Sequence, residues 1–431
     1  MRAHHAARLV SAASILASVA TVSGALVSGT ASAASSPKTT TTTVPVRAKA
    51  DLVIWADADR ARILLPFAKK FGKEYGISVA VTADSGNLEG DFTTATEAGK
   101  GPDIVVGAHD WIGDLVANGT LAPIAMPAIE QKLFYPPALK ALRYQGALWG
   151  VPYAIENVAL FRHPKLTPTA PTTFQQALSE GQALVKAGKA KYPFCDQVGA
   201  TGDAYHMEPF YTSGGGYLFG TLKNGDWNPK DVGVGLPGSI RFAKILYKYG
   251  EKGTTPVFST SIGYTQAVGG FASGQCAFLV SGPWAIGSAG GIAPGTFALS
   301  PVPGFAGMGP ARPFLGVQAF MVSSKAKNAA LADQFVLDDV ASPAFQKAMF
   351  AVEPRPAALE SVLKQELATN ATARGFYAAG KLGQPMPSIP AMDQIWGPLG
   401  QAEANIVAGQ NPVKQMTEAR AAILKAIAAQ K

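Results

Sequence analysis

Gly101-Pro102-Asp103-Ile104-Val105-Val106-Gly107-Ala108-His109-Asp110-Trp111-Ile112-Gly113 reads as a short buried strand that runs into a turn. The Ile104–Val106 run is apolar and β-branched, Gly107 lets the chain turn, and Asp110 is placed to cap a helix suggested by Ile112, Leu115 and Val116. Such a turn sets a carboxylate beside an aromatic ring at the carboxyl end of a strand. Rings cover the C–H faces of a sugar and acids accept hydrogen bonds from its hydroxyls, so the pairing suits a carbohydrate as well as a helix start.

The same rhythm extends in both directions. Upstream, Leu52–Trp55 is a buried strand followed by a polar turn at Asp57–Arg60, then a helix carrying Leu64, Phe67, Ala68 and Phe71 on one face, with Pro66 expected in its first turn. Ser78–Thr82 is a second strand. Strands alternating with helices of this length predict an α/β fold of mostly parallel sheets covered on both faces, with ligands at the carboxyl edge. Asp59, Arg60, Glu89, Asp110 and Trp111 fall at that edge.

Residues 143–164 break the rhythm in an extended run that can carry the chain into a second lobe, with Glu156 in its middle. A second alternating series follows. It brings Asp203 and Tyr205 onto a loop, Tyr264 to a helix start, and Trp284 to the end of the strand Cys276–Val280. Strands are expected at 192–195, 296–302 and 314–323, and a long helical region at 328–352. Met386 lies in a Pro-rich run that no regular element suits, and Trp396 opens a helical tail.

The 431 residues suffice for two lobes, and 48% apolar content supports proper cores. The net charge of +8 comes from scattered basic residues with no interleaved aromatics, which argues against nucleic-acid binding. Residues 1–33 read as a secretion signal, with Arg2 and Arg8, an apolar run and Ala31-Ser32-Ala33, and an uncleaved anchor is the alternative. No cysteine stands near the cleavage site, so the chain reads as exported but not as a lipoprotein. Residues 34–50 form a Ser/Thr/Pro-rich leader. Cys195 and Cys276 are either one disulfide or two buried thiols.

Nucleotide loops, zinc-type histidine spacings and nucleophile elbows are missing, so no cofactor or metal is expected. An acid pair acting as a glycosidase is the competing enzymatic reading. A surface scaffold on a Thr-rich stalk is the third.

The runs LVIWADADR (52–60), GPDIVVGAHDWIG (101–113), VPYAIENVALF (151–161), GDAYH (202–206), VSGPWAIG (280–287) and PMPSIPAMDQIWGPLG (385–400) resemble, in order and spacing, the maltose/maltodextrin-binding proteins of ABC importers. HDWIG and IWGPLG are closer to the Gram-positive maltodextrin and cyclodextrin binders. The resemblance implies the two-lobed type II periplasmic-binding-protein fold, with a first lobe of 51–155 plus 319–366 and a second of 159–313 plus 371–431. Hinge crossings would lie at 156–158, 314–318 and 367–370. It implies a monomeric receptor, not an enzyme, that delivers a maltooligosaccharide to ABC permease subunits, or else binds trehalose or cyclodextrin. By position, Asp59, Arg60, Asn87, Glu89, Asp110 and Glu156 match sugar-hydroxyl contacts. Asp203 and Tyr205 match a polar–aromatic pair, and Trp284 matches the stacking tryptophan. Tyr264 and Trp396 match ring walls, and Met386 a cleft-lining residue. The enterobacterial pattern differs in carrying tryptophan, arginine and lysine where this chain has Gly107, Trp111 and Asn87. It also has tyrosine and arginine where this chain has Gly397 and Gly400.

Overall fold

The computed structural model describes residues 44–84, 86–223, 225–287 and 291–430. The expected signal at 1–33 and the leader up to residue 43 lie outside the described residues. Arg47, within the span expected as leader, belongs to the fold: its guanidinium pairs with the fully buried Asp103 at 2.7 Å and donates to Gly101 O at 2.9 Å.

The first sheet is built on the strands Leu52–Ala56, Val79–Ala83 and Ile104–Ala108, which are mutually parallel. The long strand Phe314–Ser323 adds antiparallel to Ile104–Ala108, and Val151–Glu156 pairs antiparallel with it in turn. All ten residues of Phe314–Ser323 are buried, as a strand covered on both faces requires.

The helix Ala58–Tyr75 starts earlier than the sequence suggests. Asp57 is its cap, accepting from Arg60 N at 3.0 Å, so the presumed turn at Asp57–Arg60 is already helical and Pro66 sits in the interior rather than the first turn. Gly76 ends it at φ 66°, a left-handed conformation that glycine adopts freely.

The second sheet orders Ala298–Ser300, Ala159–Arg162, Cys276–Ser281 and Tyr192–Cys195. Only the last pairing is parallel. Parallel pairing thus holds for the opening strands of the first lobe and gives way to mixed pairing here, because Ala159–Arg162 enters directly from the first lobe and meets its neighbours head to tail. Alternation splits the sheet's two faces. Leu160, Phe278 and Val280 join one core with Phe174, Phe210 and Ile395, while Ala159, Phe161 and Leu279 join another with Phe271 and Phe376. A disulfide joins Cys195 and Cys276 on adjacent strands, with Cα atoms 5.6 Å apart.

The chain passes between the lobes where Val151–Glu156 of the first sheet continues into Ala159–Arg162 of the second. It passes again within Phe314–Ser323, whose Phe314 packs in the second core and whose Val317–Val322 segment packs in the first. A third passage separates the helix Glu360–Thr369, with Val362 in the first core, from Ala371–Gly380, with Phe376 in the second lobe. This is a two-lobed type II architecture. The helical region expected at 328–352 is interrupted by a π-helical turn at Phe335–Val340 and restarts at Pro343 with Ser342 as cap.

Candidate ligand-binding site

The strand Ile104–Ala108 delivers a single 3-10 turn, His109–Trp111, before the short helix Ile112–Ala117. The helix is entered through that turn, with Trp111 and not Asp110 at the cap position, so the capping role expected of Asp110 falls. Its Oδ1 is buried without a hydrogen-bond partner. Burial, reinforced by the charges of Glu156, Asp393 and Asp114, pushes its carboxyl up to about 7. The Trp111 ring occupies the space that a Cβ at Gly107 would fill. His109 is fully buried; Nε2 lies 3.0 Å from Met386 O and Nδ1 accepts from Val317 N at 3.1 Å. These partners assign a neutral ring with the proton on Nε2, and burial holds its pKa down at about 4.

Glu156 closes its strand at the crossing, 7% exposed. It accepts from Gln318 Nε2 at 2.7 Å and from Arg355 Nε at 2.5 Å. Burial alone would raise its carboxyl, but Arg355 and Arg60 outweigh that and hold it below its ordinary value. Arg355 also pairs with Glu353, and Arg60 reaches Glu353 at 3.6 Å and Asp57 at 2.6 Å. The result is a chain of alternating charge, Asp57–Arg60–Glu353–Arg355–Glu156, buried at Arg60, Arg355 and Glu156.

From the second lobe, Asp203 caps the helix Ala204–Ser213 by accepting from His206 N at 3.0 Å. It also holds His206 Nδ1 at 3.0 Å and bonds Gln197. That fixes the first turn, from which Tyr205 projects. The Tyr205 ring lies 5.7 Å from Trp284, 5.6 Å from Phe314 and 6.4 Å from Trp396. Its hydroxyl is buried without a partner, close enough to Glu156, Asp110 and Arg355 for their charges to act on it. Trp284 sits in the 3-10 turn Pro283–Ala285 after the strand Cys276–Ser281, and its ring fills the space over Gly282.

Acids of both lobes also lie within electrostatic reach of one another. Glu89 is pushed up to about 8 by burial and then by Asp110, Asp114 and Asp393. Asp114 rises to about 6 from burial and Asp393. Asp393 opens the helix Asp393–Val407 of the second lobe, whereas the other three stand on the first. Backbones approach closely there: a Cβ at Gly113 would lie 2.7 Å from Ser388 O. Carboxyls kept partly protonated donate as well as accept hydrogen bonds, which suits polyhydroxyl recognition.

Other predicted residues stand apart. Asp59 is exposed and pairs only with Arg62, at 3.6 Å, among its described ion pairs. Asn87 is an exposed cap of Leu88–Glu97. Met386 buries its side chain in the second core at 5% exposure and offers its carbonyl to His109, so it does not line a cleft by its side chain. Tyr264 is 40% exposed and within electrostatic reach of Arg355. Among the described residues, no group of three or more His, Cys, Asp or Glu side chains could hold a metal ion.

The model of the bacterial extracellular solute-binding protein family matches residues 67–375. The chain belongs to that family. A galactooligosaccharide-binding protein of Bacillus subtilis is 25% identical over 91% of this chain and 93% of its own length. A maltotriose-binding protein of Pyrococcus abyssi is 27% identical over 72% of this chain and 67% of its own. A maltooligosaccharide ABC transporter solute-binding lipoprotein of Streptococcus pneumoniae is 24% identical over 88% and 89%. No described helix of this solute-binding protein is long and apolar enough to cross a membrane.

Sequence reasoning missed Arg355, Glu353, Gln318, Phe314 and Asp393. Gln318 and Arg355 are 162 and 199 residues from Glu156, and nothing local marks the pairing. Gly202 has a steric reason in this solute-binding protein: at φ 78°, a Cβ there would collide with the carbonyl oxygen of Gly400.

Proposed function

We propose that the chain is the oligosaccharide receptor of an ABC importer. It binds an α-1,4-glucan between its lobes and hands it, unaltered, to membrane permease subunits. Carrying the reading is one juxtaposition: the Tyr205–Trp284–Trp396 ring group of the second lobe approaches Asp110 and Glu156 of the first. Rings from one side cover C–H faces and acids from the other take hydroxyls, so ligand bridges the two only when the lobes meet.

Trp284 and Trp111 are the stacking faces, each resting over a glycine at a strand end. Asp110, Glu89 and Tyr205 bind hydroxyls, and the Arg355-held Glu156 is a fixed acceptor at the crossing. Each hydroxyl bond contributes about 0.5–1.5 kcal/mol net. Buried ring faces add roughly 25 cal/mol per Å² of apolar area. Asp59, Asn87 and Met386 have peripheral roles at most, given their placements.

One observation favours a second ligand, a galactooligosaccharide: the Bacillus subtilis relative named for it aligns over 91% of the chain. Calorimetric titration with maltose, maltotriose, cyclodextrin, trehalose and a β-galactooligosaccharide decides between them. Tight binding of maltotriose supports the α-glucan reading. Binding of the galactoside alone replaces it, and release of new reducing ends from maltotetraose overturns the receptor reading.

A further inference from the structure

A cavity of about 320 Å³ lies next to the ring group just described, with Phe314, whose ring is 5.6 Å from Tyr205, as a shared wall. Its walls include the rings of Tyr217, Trp227 and Phe314 and the polar side chains of Glu208, Arg312 and Gln384, whereas Tyr205, Trp284, Trp396, Asp110 and Glu156 do not line it. We propose that this cavity is a second carbohydrate site, taking a single neutral glycosyl unit at the root of the crossing strand.

The helix Ala204–Ser213 runs from the ring group to the cavity. Tyr205 stands in its first turn among the cleft rings, and Thr212, which lines the cavity, lies seven residues on, a rise of about 10 Å. The hairpin Phe219–Thr221 and Trp227–Val232 sets Trp227 as one wall. Tyr217 is held as another by its hydroxyl, which donates to Asp231 at 2.7 Å. Thr212 Oγ1 pins the rim by donating to Arg312 O at 3.1 Å and accepting from Arg312 N at 2.9 Å.

Glu208 supplies the second line of argument. It is 6% exposed, and its Oε2 is buried with no hydrogen-bond partner. An unused carboxyl oxygen on a cavity-lining residue is costly, and a turn of the side chain toward the cavity would let a guest complete it. Burial pushes the Glu208 carboxyl well above the ordinary carboxylate range, which favours a hydrogen-bonding guest over a cation. An anion drawn by Arg312 alone would leave three ring faces unused. A hydroxylated ring uses both the aromatic walls and the polar groups. The volume, at the small end of ligand pockets, limits the guest to one sugar unit.

The test uses three full-chain variants and the wild type, titrated with methyl α-glucoside and methyl β-galactoside while the indole N–H resonances are followed. The expected result is that the Trp227 indole shifts in both the wild type and Trp284→Ala, and that Arg312→Ala weakens this response at least five-fold. Trp227→Ala should weaken calorimetric binding of the glycoside at least ten-fold in the Trp284→Ala background, with the circular dichroism of the parent. An unmoved Trp227 resonance, a response abolished by Trp284→Ala, or insensitivity to both Arg312→Ala and Trp227→Ala overturns the proposal. Failure of maltotriose to bind the wild type would sink the cleft reading while leaving this one standing.

Discussion

The six-membered edge of the Trp111 indole stands where a side chain on Gly107 would begin. A strand end without a Cβ is therefore what lets the tryptophan of the next turn fold back over the backbone. The enterobacterial pattern, with tryptophan at the first position and arginine at the second, is the inverse arrangement: the ring is moved by four residues and the backbone beneath it bared. Gly107→Ala should expel the Trp111 ring and weaken α-glucan binding about ten-fold, on the order of 1.4 kcal/mol. Calorimetric titration with maltotriose measures it, and an affinity equal to wild type would show that Trp111 is no part of the sugar surface.

Trp284 repeats the device in the second lobe, its ring lying over Gly282 after the strand Cys276–Ser281. It touches Tyr205 and meets His206 edge-on at 5.8 Å, so its plane is fixed before ligand arrives. Trp284→Ala should cost at least ten-fold in maltotriose affinity with a melting temperature close to the parent, since the ring is only partly buried. Unchanged binding in the same titration would remove Trp284 from the site.

Much of the fold was readable because its strands are short apolar runs with sharp ends. Tyr192–Cys195 and Phe314–Ser323 fall where the pattern of residues puts them. The start of the helix Ala58–Tyr75 was hidden because Asp57-Ala58-Asp59-Arg60 is polar enough to pass for a turn, and only the Asp57 cap shows otherwise. At the site, residues on strand-end turns could be named from sequence, since ring and acid stand side by side there. Capping potential misled for Asp110, because a 3-10 turn precedes its helix. Partners that act through space, such as Arg355 on Glu156 and Asp393 on Glu89, carry no local signature.

The Arg355–Glu156 pair is buried on both sides, at 6% and 9% side-chain exposure. Removing one member of such a pair strands the other charge at a cost of about 3–5 kcal/mol. Arg355→Met should therefore destabilise strongly in urea denaturation, and Arg355→Met with Glu156→Gln should recover most of the loss, because the double change leaves position 156 neutral and Glu353 still paired with Arg60. If the double variant is as unstable as the single one, packing of Arg355 and not its charge is what matters.

Interlobe acids give the protein a pH dependence whose sign follows from their protonation. Glu89 and Asp110 are raised to about 8 and 7, so in each case the folded chain holds a proton that the unfolded chain has released above its ordinary carboxylate pKa. Stability carried by such groups falls as pH rises through the folded values. Below about pH 6.5 the buried neutral His109, lowered to about 4, works in the opposite sense, since only the unfolded chain gains its proton there. Glu156, lowered by Arg355, likewise loses its contribution only in acid. Between pH 6.5 and 8.5 the raised acids act without that opposition from His109, and the melting temperature of the ligand-free protein should decline. Asp393→Asn removes the charge that the second lobe sets against Glu89, Asp110 and Asp114, and should make the decline shallower. Differential scanning calorimetry of both proteins across that window checks it. A wild-type melting temperature that rises with pH there, or an Asp393→Asn slope as steep as the parent's, would mean that the carboxyls of the two lobes do not confront one another.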